Sequence, residues 1–398
     1  MKQRLDARGT LTTMGIQFRL AAGDHKPVED FLSREHAGTS AITLDTKAAR
    51  HQHHAAAAAV DAGLYVYWEP GVERLATPGF GLEKFPLWTG QPYDTDALSR
   101  DSGATARAAL VDLTVENHPS PITHVTAPHF YVTDDRTAHL NVDLAERTRL
   151  LVGNDRPTRA VLTLSTTAFG RLEMNLASEY AGAGITTIEV RFSPLGGDDE
   201  GIRKIRRVFT ILDEFREHGM NVTLGLSGNI GRAALALGHA DAYSVGVGIM
   251  EKVNHAQTVA QYRQAPDPDK QQGGGAAAGI YLPRLGATVS AKAARQLLQH
   301  TDIRTRIGCR IGSCATSVTG PLDDRRGHYL HSRAGEVAEM LARPAPWRGS
   351  MEIDRLTEAI QLRDRVNEHY LSDDVRKLGT RTLHSLIDEI QYEQQQAS

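Results

Sequence analysis

The sequence predicts an α/β fold, a (β/α)8 TIM-like barrel with a helical C-terminal appendage. Two observations predict the barrel: eight short runs rich in β-branched residues occur along the chain, and helix-like segments lie between most of them. A third observation predicts the appendage, because only helical spacing of apolar residues follows the eighth run. Eight repeats favour a closed barrel over an open, doubly wound sheet, which remains the alternative.

The predicted strands are spaced so that a helix fits between most of them. They are residues 40–45, 64–69, 122–130, 160–165, 186–192, 221–226, 242–248 and 278–285. Gly63, Gly184 and Gly219 lie just before three of these runs. A glycine in the left-handed conformation commonly ends a helix. The alternation therefore predicts repeated βαβ units and a parallel sheet.

Two long segments interrupt this alternation. Residues 70–120 form an excursion after the second predicted strand, and residues 265–278, rich in glycine, alanine and proline, are predicted to be a mobile loop. Loops at the C-terminal ends of barrel strands usually carry function, so both segments are candidates for a role at the active site.

The appendage is predicted to contain three helices, because apolar residues recur there every three or four positions. These helices are residues 331–343, 350–371 and 374–395. We place the domain boundary between residues 305 and 306, with the barrel over 1–305 and a metal-binding segment with the C-terminal helices over 306–398.

Composition and charge argue against several classes of protein. The net charge of −3 gives no general attraction to nucleic acid or to an anionic membrane. No apolar run approaches the roughly 18 residues that cross a bilayer, and the N-terminal segment lacks the apolar stretch of a secretory signal. We therefore expect a cytoplasmic protein without membrane contact. Two cysteines are too few for a disulfide framework.

Both cysteines lie close to a pair of histidines, and these four residues are the candidate metal ligands. Cys309 and Cys314 are five positions apart, and His328 and His331 follow in His-Tyr-Leu-His. Two thiolates and two imidazoles are ligands that tetrahedral zinc prefers. Such a site would be structural and would attach the appendage to the last barrel strand. The alternative is that both cysteines are buried space-fillers.

Two carboxylates are candidate catalytic groups because they end predicted strands. Asp45 ends the first strand and Glu69 ends the second. Carboxylates that face one end of a barrel can serve as general acid and general base. Asp45 fits a helix N-cap in Asp-Thr-Lys-Ala equally well, and Glu69 fits a turn residue in Trp-Glu-Pro-Gly.

Candidate substrate-binding residues follow two later strands. Arg191 is placed to bind a phosphate or carboxylate, with a buried ion pair to Glu189 as the alternative. Gly246 and Gly248 would let the backbone approach a planar base or a phosphate closely. Glu251 offers a carboxylate to a base edge. The alternative interpretation of this run is a tight turn between strand and helix.

Other polar residues are assigned structural roles. His129 is more typical of a core histidine than of a ligand-facing one, and His51, His53 and His54 are predicted to lie on the solvent side of a helix. The basic run 203–207 is typical of a solvated helix face. Residues 227–232, SGNIGR, are a weak candidate for a phosphate-binding turn.

The segment CRIGSC, followed by HYLHSRAGEVAEM, resembles the zinc region of the tRNA-guanine transglycosylases. Cys309 and Cys314 match the first and third cysteines of that region, and Ile311 stands at the second. His331 matches the family's histidine, and His328 could replace the lost cysteine. The resemblance implies a bound Zn²⁺ ion that pins the helical appendage to the barrel.

A second stretch, GLSGNIGRAALALGHADAYSV, resembles the glycine turn, helix and strand that precede the zinc region in the same family. On this strand Asp241 matches an earlier aspartate, and Ser244 stands where the family carries its nucleophilic aspartate. The family's Asp-Ser-Gly-Gly-Phe-Gln segment is missing, and YWEPGVERLAT occupies a comparable place.

The resemblance implies base exchange or recognition on a purine-like base, possibly within nucleic acid. Asp45, Glu69 and Asp241 are then the candidate catalytic carboxylates, and Ser244 joins the substrate-binding residues. Replacement of the nucleophile leaves open whether the chain is a glycosyltransferase. Two alternatives stand beside this hypothesis: a barrel enzyme on a small phosphorylated or carboxylated metabolite, and a non-catalytic binding module. The oligomeric state is also left open.

Overall fold

The computed structural model describes residues 14–34, 36–248, 250–265, 279–311, 314 and 319–396. Nine parallel strands form its main sheet; the short strand Tyr131–Val132 pairs with Thr163 and Leu164, and the other eight follow one another around the sheet. In chain order these eight are β1 Gly15–Arg19, β2 Thr39–Leu44, β3 Tyr65–Trp68, β4 Val125–Thr126, β5 Thr158–Ser165, β6 Thr187–Ser193, β7 Asn221–Leu224 and β8 Ala242–Gly246. Their order in the sheet is β3-β2-β1-β8-β7-β6-β5-β4.

The two ends of this sheet meet, so the sheet is a nearly closed barrel. Beside β3, the N–H of Val66 donates to Thr123 Oγ1, and the N–H of Thr123, just before β4, donates to the carbonyl of Val66. Neighbouring strands pair in parallel around the rest of the ring. The prediction of a (β/α)8 TIM-like barrel is therefore confirmed.

The first barrel strand lies earlier in the chain than predicted. β1 is Gly15–Arg19 and pairs with β2 and β8. The prediction that residues 278–285 form the eighth barrel strand is wrong, because Ile280–Leu282 instead pairs antiparallel with Ala287–Val289 in a separate hairpin. Pro283 and the left-handed Gly286, with φ of 55°, turn the chain back on itself there.

Helices cover the outside of the barrel between its strands. They are His25–Arg34, His53–Asp61, Ala104–Glu116, Asp135–Val152, Leu176–Gly182, Ile202–Glu217 and Gly228–Leu237. Their apolar faces pack on the sheet, as in Ile202–Glu217, where Ile205, Phe209 and Leu212 are buried at helical spacing. The excursion after β3 contains the short helices Val72–Leu75 and Thr95–Leu98.

The remaining helices of the described part of the chain follow β8. They are His255–Arg263, Ala291–Gln299, Thr301–Ile307, Gly320–Asp323, Arg325–Leu341, Ala345–His369 and Arg381–Gln396. The last three correspond to the predicted appendage helices. The loop predicted at 265–278 lies, apart from residue 265, outside the described residues.

Helix Arg325–Leu341 completes the outer layer of the barrel. It packs against β1 and against helix His25–Arg34, and Tyr329 and Leu330 are buried in the main apolar core. A Cβ at Gly38 would lie 2.3 Å from the carbonyl oxygen of Ala334, so only glycine permits this close approach. The helix thus takes the place of the eighth barrel helix, and the domain boundary at residues 305 and 306 stays a prediction.

A second, smaller apolar core lies beside the barrel. It joins the hairpin at residues 280–289 and the helices Ala291–Gln299 and Thr301–Ile307 to Leu362 and Val366 of helix Ala345–His369. Among the described residues, no helix has both the length and the apolar character needed to span a membrane.

Candidate functional site

The interior of the barrel carries charged side chains, several of them where the strands end. Successive strand residues point to opposite faces, so Glu189 and Arg191 of β6 both face inward. Arg19 ends β1, Glu69 directly follows β3, and Arg159 lies on β5. Glu69, Arg159, Glu189 and Arg191 are almost fully buried. The C-terminal end of the barrel, where barrel enzymes place their chemistry, is called the mouth below.

Buried carboxylates and guanidinium groups alternate through this interior. Glu69 accepts a hydrogen bond from Arg191 at 2.6 Å and forms an ion pair with Arg19 at 3.1 Å. Glu189 accepts from Arg191 Nε at 2.7 Å and pairs with Arg159. Burial acts to raise the pKa of Glu69, but Arg191 and Arg19 outweigh it and hold that pKa well below its usual value. Glu69 is therefore ionised at neutral pH.

Arg191 is committed to these protein partners. Its guanidinium forms ion pairs with both Glu189 and Glu69. The alternative prediction for Arg191, a buried ion pair with Glu189, therefore describes the structure, and Glu69 adds a second ion pair. Gly225, next to the end of β7, makes room for the pair, since a Cβ there would lie 2.5 Å from both Arg191 Cγ and Glu189 Oε1. A glycine is needed at this position for steric reasons.

His129 and Glu73 lie above Glu69 in the mouth, and their polar atoms have no good partner among the described residues. His129 Nε2 is 3.7 Å from Glu69 Oε1 and 3.6 Å from Glu73 Oε2, beyond hydrogen-bond distance, and both Nε2 and Glu73 Oε2 are buried without a hydrogen bond. Burial acts to raise the pKa of Glu73, but His129 and Arg191 lower it to about 2. Glu73 was not predicted.

The imidazole ring of His129 lies between two carboxylates. Its Nε2 faces Glu69 and Glu73, and its Nδ1 lies 3.5 Å from the carbonyl oxygen of Ala127. An imidazole at a barrel mouth can take up and release a proton during a reaction.

Other predicted site residues have structural contacts. Asp45 lies at the rim of the mouth. Its Oδ1 accepts hydrogen bonds from the N–H groups of Lys47 and Ala48, both at 2.9 Å, as a capping residue does.

Ser244 is buried below the mouth, where its hydroxyl donates to Glu189 at 3.3 Å and accepts a hydrogen bond from the N–H of Leu226 at 3.0 Å. That bond holds Leu226 in a left-handed conformation with φ of 50°.

Asp241 lies at the opposite end of the barrel, just before β8 begins. Its carboxylate accepts the N–H of Val222 at 2.9 Å and is 3.6 Å from Arg216. The structure does not bring Asp241 together with Asp45 and Glu69, because parallel strands place it at the N-terminal end of the sheet.

The residues after β8 form a tight turn and a second polar corner. The N–H of Gly246 donates to the carbonyl of Met250 at 2.7 Å, and Gly248 has φ of 87°. Glu251 accepts from Tyr329 at 2.6 Å and pairs with Arg333. It lies close to Gly228, and both residues line a cavity of about 180 Å³. Glu251 is therefore held by the helix Arg325–Leu341.

The four candidate metal ligands come together in one cluster. Sγ of Cys309 and Cys314 and one ring nitrogen each of His328 and His331 lie within 4.8 Å of one another. Cys309 Sγ is 3.3 Å from His331 Nε2, and Cys314 Sγ is 3.5 Å from His328 Nδ1. Around a tetrahedral ion with bonds of about 2.3 Å to sulfur and 2.0 Å to nitrogen, such edges measure about 3.5 Å. The cluster could therefore hold a metal ion.

The groups around the cluster orient its donor atoms. His328 Nε2 donates to the carbonyl of Tyr281 at 2.6 Å, which leaves Nδ1 free to bind an ion. The N–H of Ile311 donates to Cys309 Sγ at 3.4 Å, and this contact stabilises a thiolate. The hydrogen bond from Cys314 lowers the pKa of Cys309. A cavity of about 420 Å³ lies beside Cys309, outside the barrel and between the helices.

Comparisons with known proteins give only distant structural similarities. No family model and no curated protein matches the chain. A nitroalkane oxidase from Streptomyces ansochromogenes aligns at 16% identity over 98% of this chain and 99% of that chain, with a TM-score of 0.30. A thiamine phosphate pyrophosphorylase from Pyrococcus furiosus aligns at 12% identity over 63% of this chain and 95% of that chain, with a TM-score of 0.22.

A dihydrodipicolinate synthase from Bacillus clausii aligns at 10% identity over 65% of this chain and 80% of that chain, with a TM-score of 0.14. None of these three structures is a tRNA-guanine transglycosylase. Similarity this low carries no argument about activity.

Proposed function

We propose that this chain is a barrel enzyme that performs acid–base chemistry on a small phosphorylated or carboxylated metabolite at the mouth. The observation that carries the proposal is the buried contact between His129 Nε2 and Glu73 Oε2, 3.6 Å apart and without hydrogen bonds among the described residues. Buried polar atoms are rarely left unpaired in a purely structural role, and perturbed titratable groups at a barrel mouth are typical of active sites.

In this proposal His129 is the general base. Its Nε2 removes a proton from the substrate, and the imidazolium so formed lies between the carboxylates of Glu69 and Glu73. Glu69 stays ionised because Arg19 and Arg191 stabilise its charge. The imidazolium then returns the proton to a different atom of the same substrate, which restores the neutral ring and leaves the substrate isomerised. The reaction class is therefore proton abstraction and return.

The test is conversion of metabolites by the purified chain. A polar extract of small phosphorylated and carboxylated metabolites is incubated with the wild-type protein and followed by mass spectrometry. We expect one compound to be consumed, and His129→Gln to lower the rate by about 10²- to 10⁴-fold, the usual contribution of a general base.

His139→Gln is the matched control, because His139 is exposed on the outer helix Asp135–Val152 and should leave the rate unchanged. The proposal fails if the wild-type protein consumes nothing, or if His129→Gln is as active as the wild type.

We further propose that the Cys₂His₂ cluster binds Zn²⁺ as a structural ion. Two sulfur and two nitrogen donors are a set that zinc prefers, and all four positions are filled by protein, which leaves none open for a substrate. Cys309 and Cys314 follow helix Thr301–Ile307 in the chain, and both histidines lie on helix Arg325–Leu341. A bound ion would fasten both cysteines and the hairpin carbonyl of Tyr281 to the outer layer of the barrel.

Elemental analysis tests the zinc proposal. We expect about one zinc per chain in the wild-type protein, loss of that zinc in Cys309→Ser, and a lower melting temperature both in this variant and after chelation. Ser313→Ala, within the same segment, is the control and should keep its zinc. Absence of zinc from the wild-type protein, or unchanged zinc in Cys309→Ser, would contradict the proposal.

A second candidate function is base exchange on a purine-like base within nucleic acid. It is favoured by the clustering of the four ligands that the transglycosylase resemblance implies. Ser244 is buried, so the nucleophilic carboxylate would be Glu73 at the mouth. Incorporation of labelled guanine into RNA or DNA by the wild type but not by Glu73→Gln would support it, and no incorporation by the wild type would exclude it.

A further inference from the structure

Arg74 lies at the rim of the mouth with its guanidinium group close to two aromatic rings. Its Cζ is 3.1 Å from the ring centre of Tyr262 and 5.0 Å from that of Phe85. Tyr262 belongs to helix His255–Arg263 after β8, while Arg74 and Phe85 belong to the excursion after β3. Contact with an aromatic ring orients the guanidinium and leaves its edges for hydrogen bonds.

One edge of this guanidinium has no partner. Arg74 Nε and Nη2 are both buried, and neither makes a hydrogen bond with the described residues. These two nitrogens form the side of the group that binds a carboxylate or phosphate through two parallel N–H···O bonds. Burial of unpaired N–H donors is costly, so a complementary acceptor is expected at this edge.

Other arginines of the same protein use this edge to bind carboxylates. Arg206 bonds to Glu389 through Nε at 2.9 Å and Nη2 at 2.7 Å. Arg355 bonds to Glu352 through the same two nitrogens, and Arg333 to Glu251 likewise. Arg74 has the same donor geometry and lacks the protein carboxylate.

Arg74 lies among the charged residues of the mouth. Its charged neighbours are Glu73, Arg19, Asp45 and Glu69, and burial lowers its own pKa to about 10. Glu73 is next to Arg74 in the chain and contacts His129. Arg74 is therefore connected through Glu73 to the residue proposed as the general base.

We propose that Arg74 binds the oxyanion of the substrate, a phosphate or a carboxylate, through its Nε–Nη2 edge. The inference rests on the proposed function for placing the substrate at the mouth, and it names the residue that selects the substrate class. It also reassigns the role predicted for Arg191, whose guanidinium is already occupied by Glu69 and Glu189.

Calorimetric titration of the full chain with inorganic phosphate, and separately with acetate, tests this site. We expect saturable binding of at least one of the two anions at one site per chain. Preference for phosphate would indicate a phosphorylated substrate, and preference for acetate a carboxylated one. Arg74→Gln should weaken binding of the preferred anion by about tenfold or more, and Arg74→Lys, which keeps the charge without the two-pronged edge, should weaken it less.

Arg136→Gln is the matched control, since Arg136 is exposed and pairs only with Asp96 at 2.9 Å in the described structure. Its affinity should equal that of the wild type. Tyr262→Leu provides a second variant that removes one stacking ring and leaves the charge, and it should also weaken binding. Thermal melts of all variants show that they are folded.

The proposal is overturned if neither anion binds saturably to the wild type, or if Arg74→Gln binds as tightly as the wild type. Its failure is distinguishable from failure of the proposed enzymatic role. Anion binding that depends on Arg74 without any metabolite conversion would remove the acid–base proposal alone, and conversion that survives in Arg74→Gln with unchanged KM would remove this inference alone.

Discussion

Single residues of the mouth divide into those with complete partners and those without. Glu69 and Glu189 each contact two guanidinium groups, so their charges are compensated within the protein. An isolated buried charge is strongly destabilising. Each buried carboxylate of this network is therefore placed next to guanidinium groups. The polar groups left over at the rim are His129, Glu73 and Arg74. The chemistry proposed above is assigned to these three residues for that reason.

His239 is a second titratable residue with a defined role, outside the mouth. Its Nδ1 lies 2.9 Å from Asp213 and its Nε2 lies 2.8 Å from Glu393, which joins the barrel to the C-terminal helix Arg381–Gln396. Burial acts to lower the pKa of His239, but the hydrogen bonds to Asp213 and Glu393 outweigh it and raise that pKa to about 9.

A raised pKa in the folded state makes this contact dependent on pH. The stabilisation is complete below the unfolded value of about 6.5 and is lost as the pH rises through about 9. We therefore expect His239→Gln to lower the melting temperature by several degrees at pH 6 and by much less at pH 10.

His218 is the control for this measurement, because it is exposed and directly follows helix Ile202–Glu217. The melting temperature of His218→Gln should equal that of the wild type at both pH values. Equal losses of melting temperature for His239→Gln at pH 6 and pH 10 would show that the imidazolium contributes nothing to the contact.

At the scale of secondary structure, strands with apolar runs could be predicted from the sequence and a polar strand could not. β2 to β8 all overlap their predicted segments. β1 was missed because Gly-Ile-Gln-Phe-Arg carries two polar residues, Gln17 and Arg19, which face the charged barrel interior rather than an apolar core. Residues 278–285 were assigned to the sheet because an apolar run does not distinguish a barrel strand from a hairpin.

The metal cluster and the mouth differ in how far the sequence predicts them. Cysteine and histidine at short spacing are specific for metal binding, and the four predicted ligands do lie together. Glu73 and Arg74 could not be selected in this way, because their environment depends on Tyr262 and His129, which are distant in sequence and meet them only in the closed barrel.

Helix Arg325–Leu341 connects the cluster of candidate metal ligands with the residues after β8. His328 and His331 on this helix belong to the metal cluster, and Tyr329 and Arg333 bind Glu251 after β8. A change in the position of the helix would therefore move Glu251 as well. The metal cluster and the residues after β8 are parts of one packed unit.

For the whole molecule, the arrangement of the barrel sets where chemistry can occur. The ends of β1, β3 and β6 and the loop after β4 bring Arg19, Glu69, Arg191 and His129 to one end, whereas Asp241 lies at the other. A competing site exists in the cavity of about 420 Å³ beside Cys309, outside the barrel. The location of the bound substrate decides between them.

The most direct measurement is a crystal structure of the His129→Gln variant soaked with the metabolite that the wild-type protein consumes. We expect the bound molecule at the mouth, with its oxyanion on the Nε–Nη2 edge of Arg74 and its reacting carbon or oxygen within about 3.5 Å of the side chain at position 129. A molecule bound instead in the cavity beside Cys309, with the mouth filled only by solvent, would contradict the account.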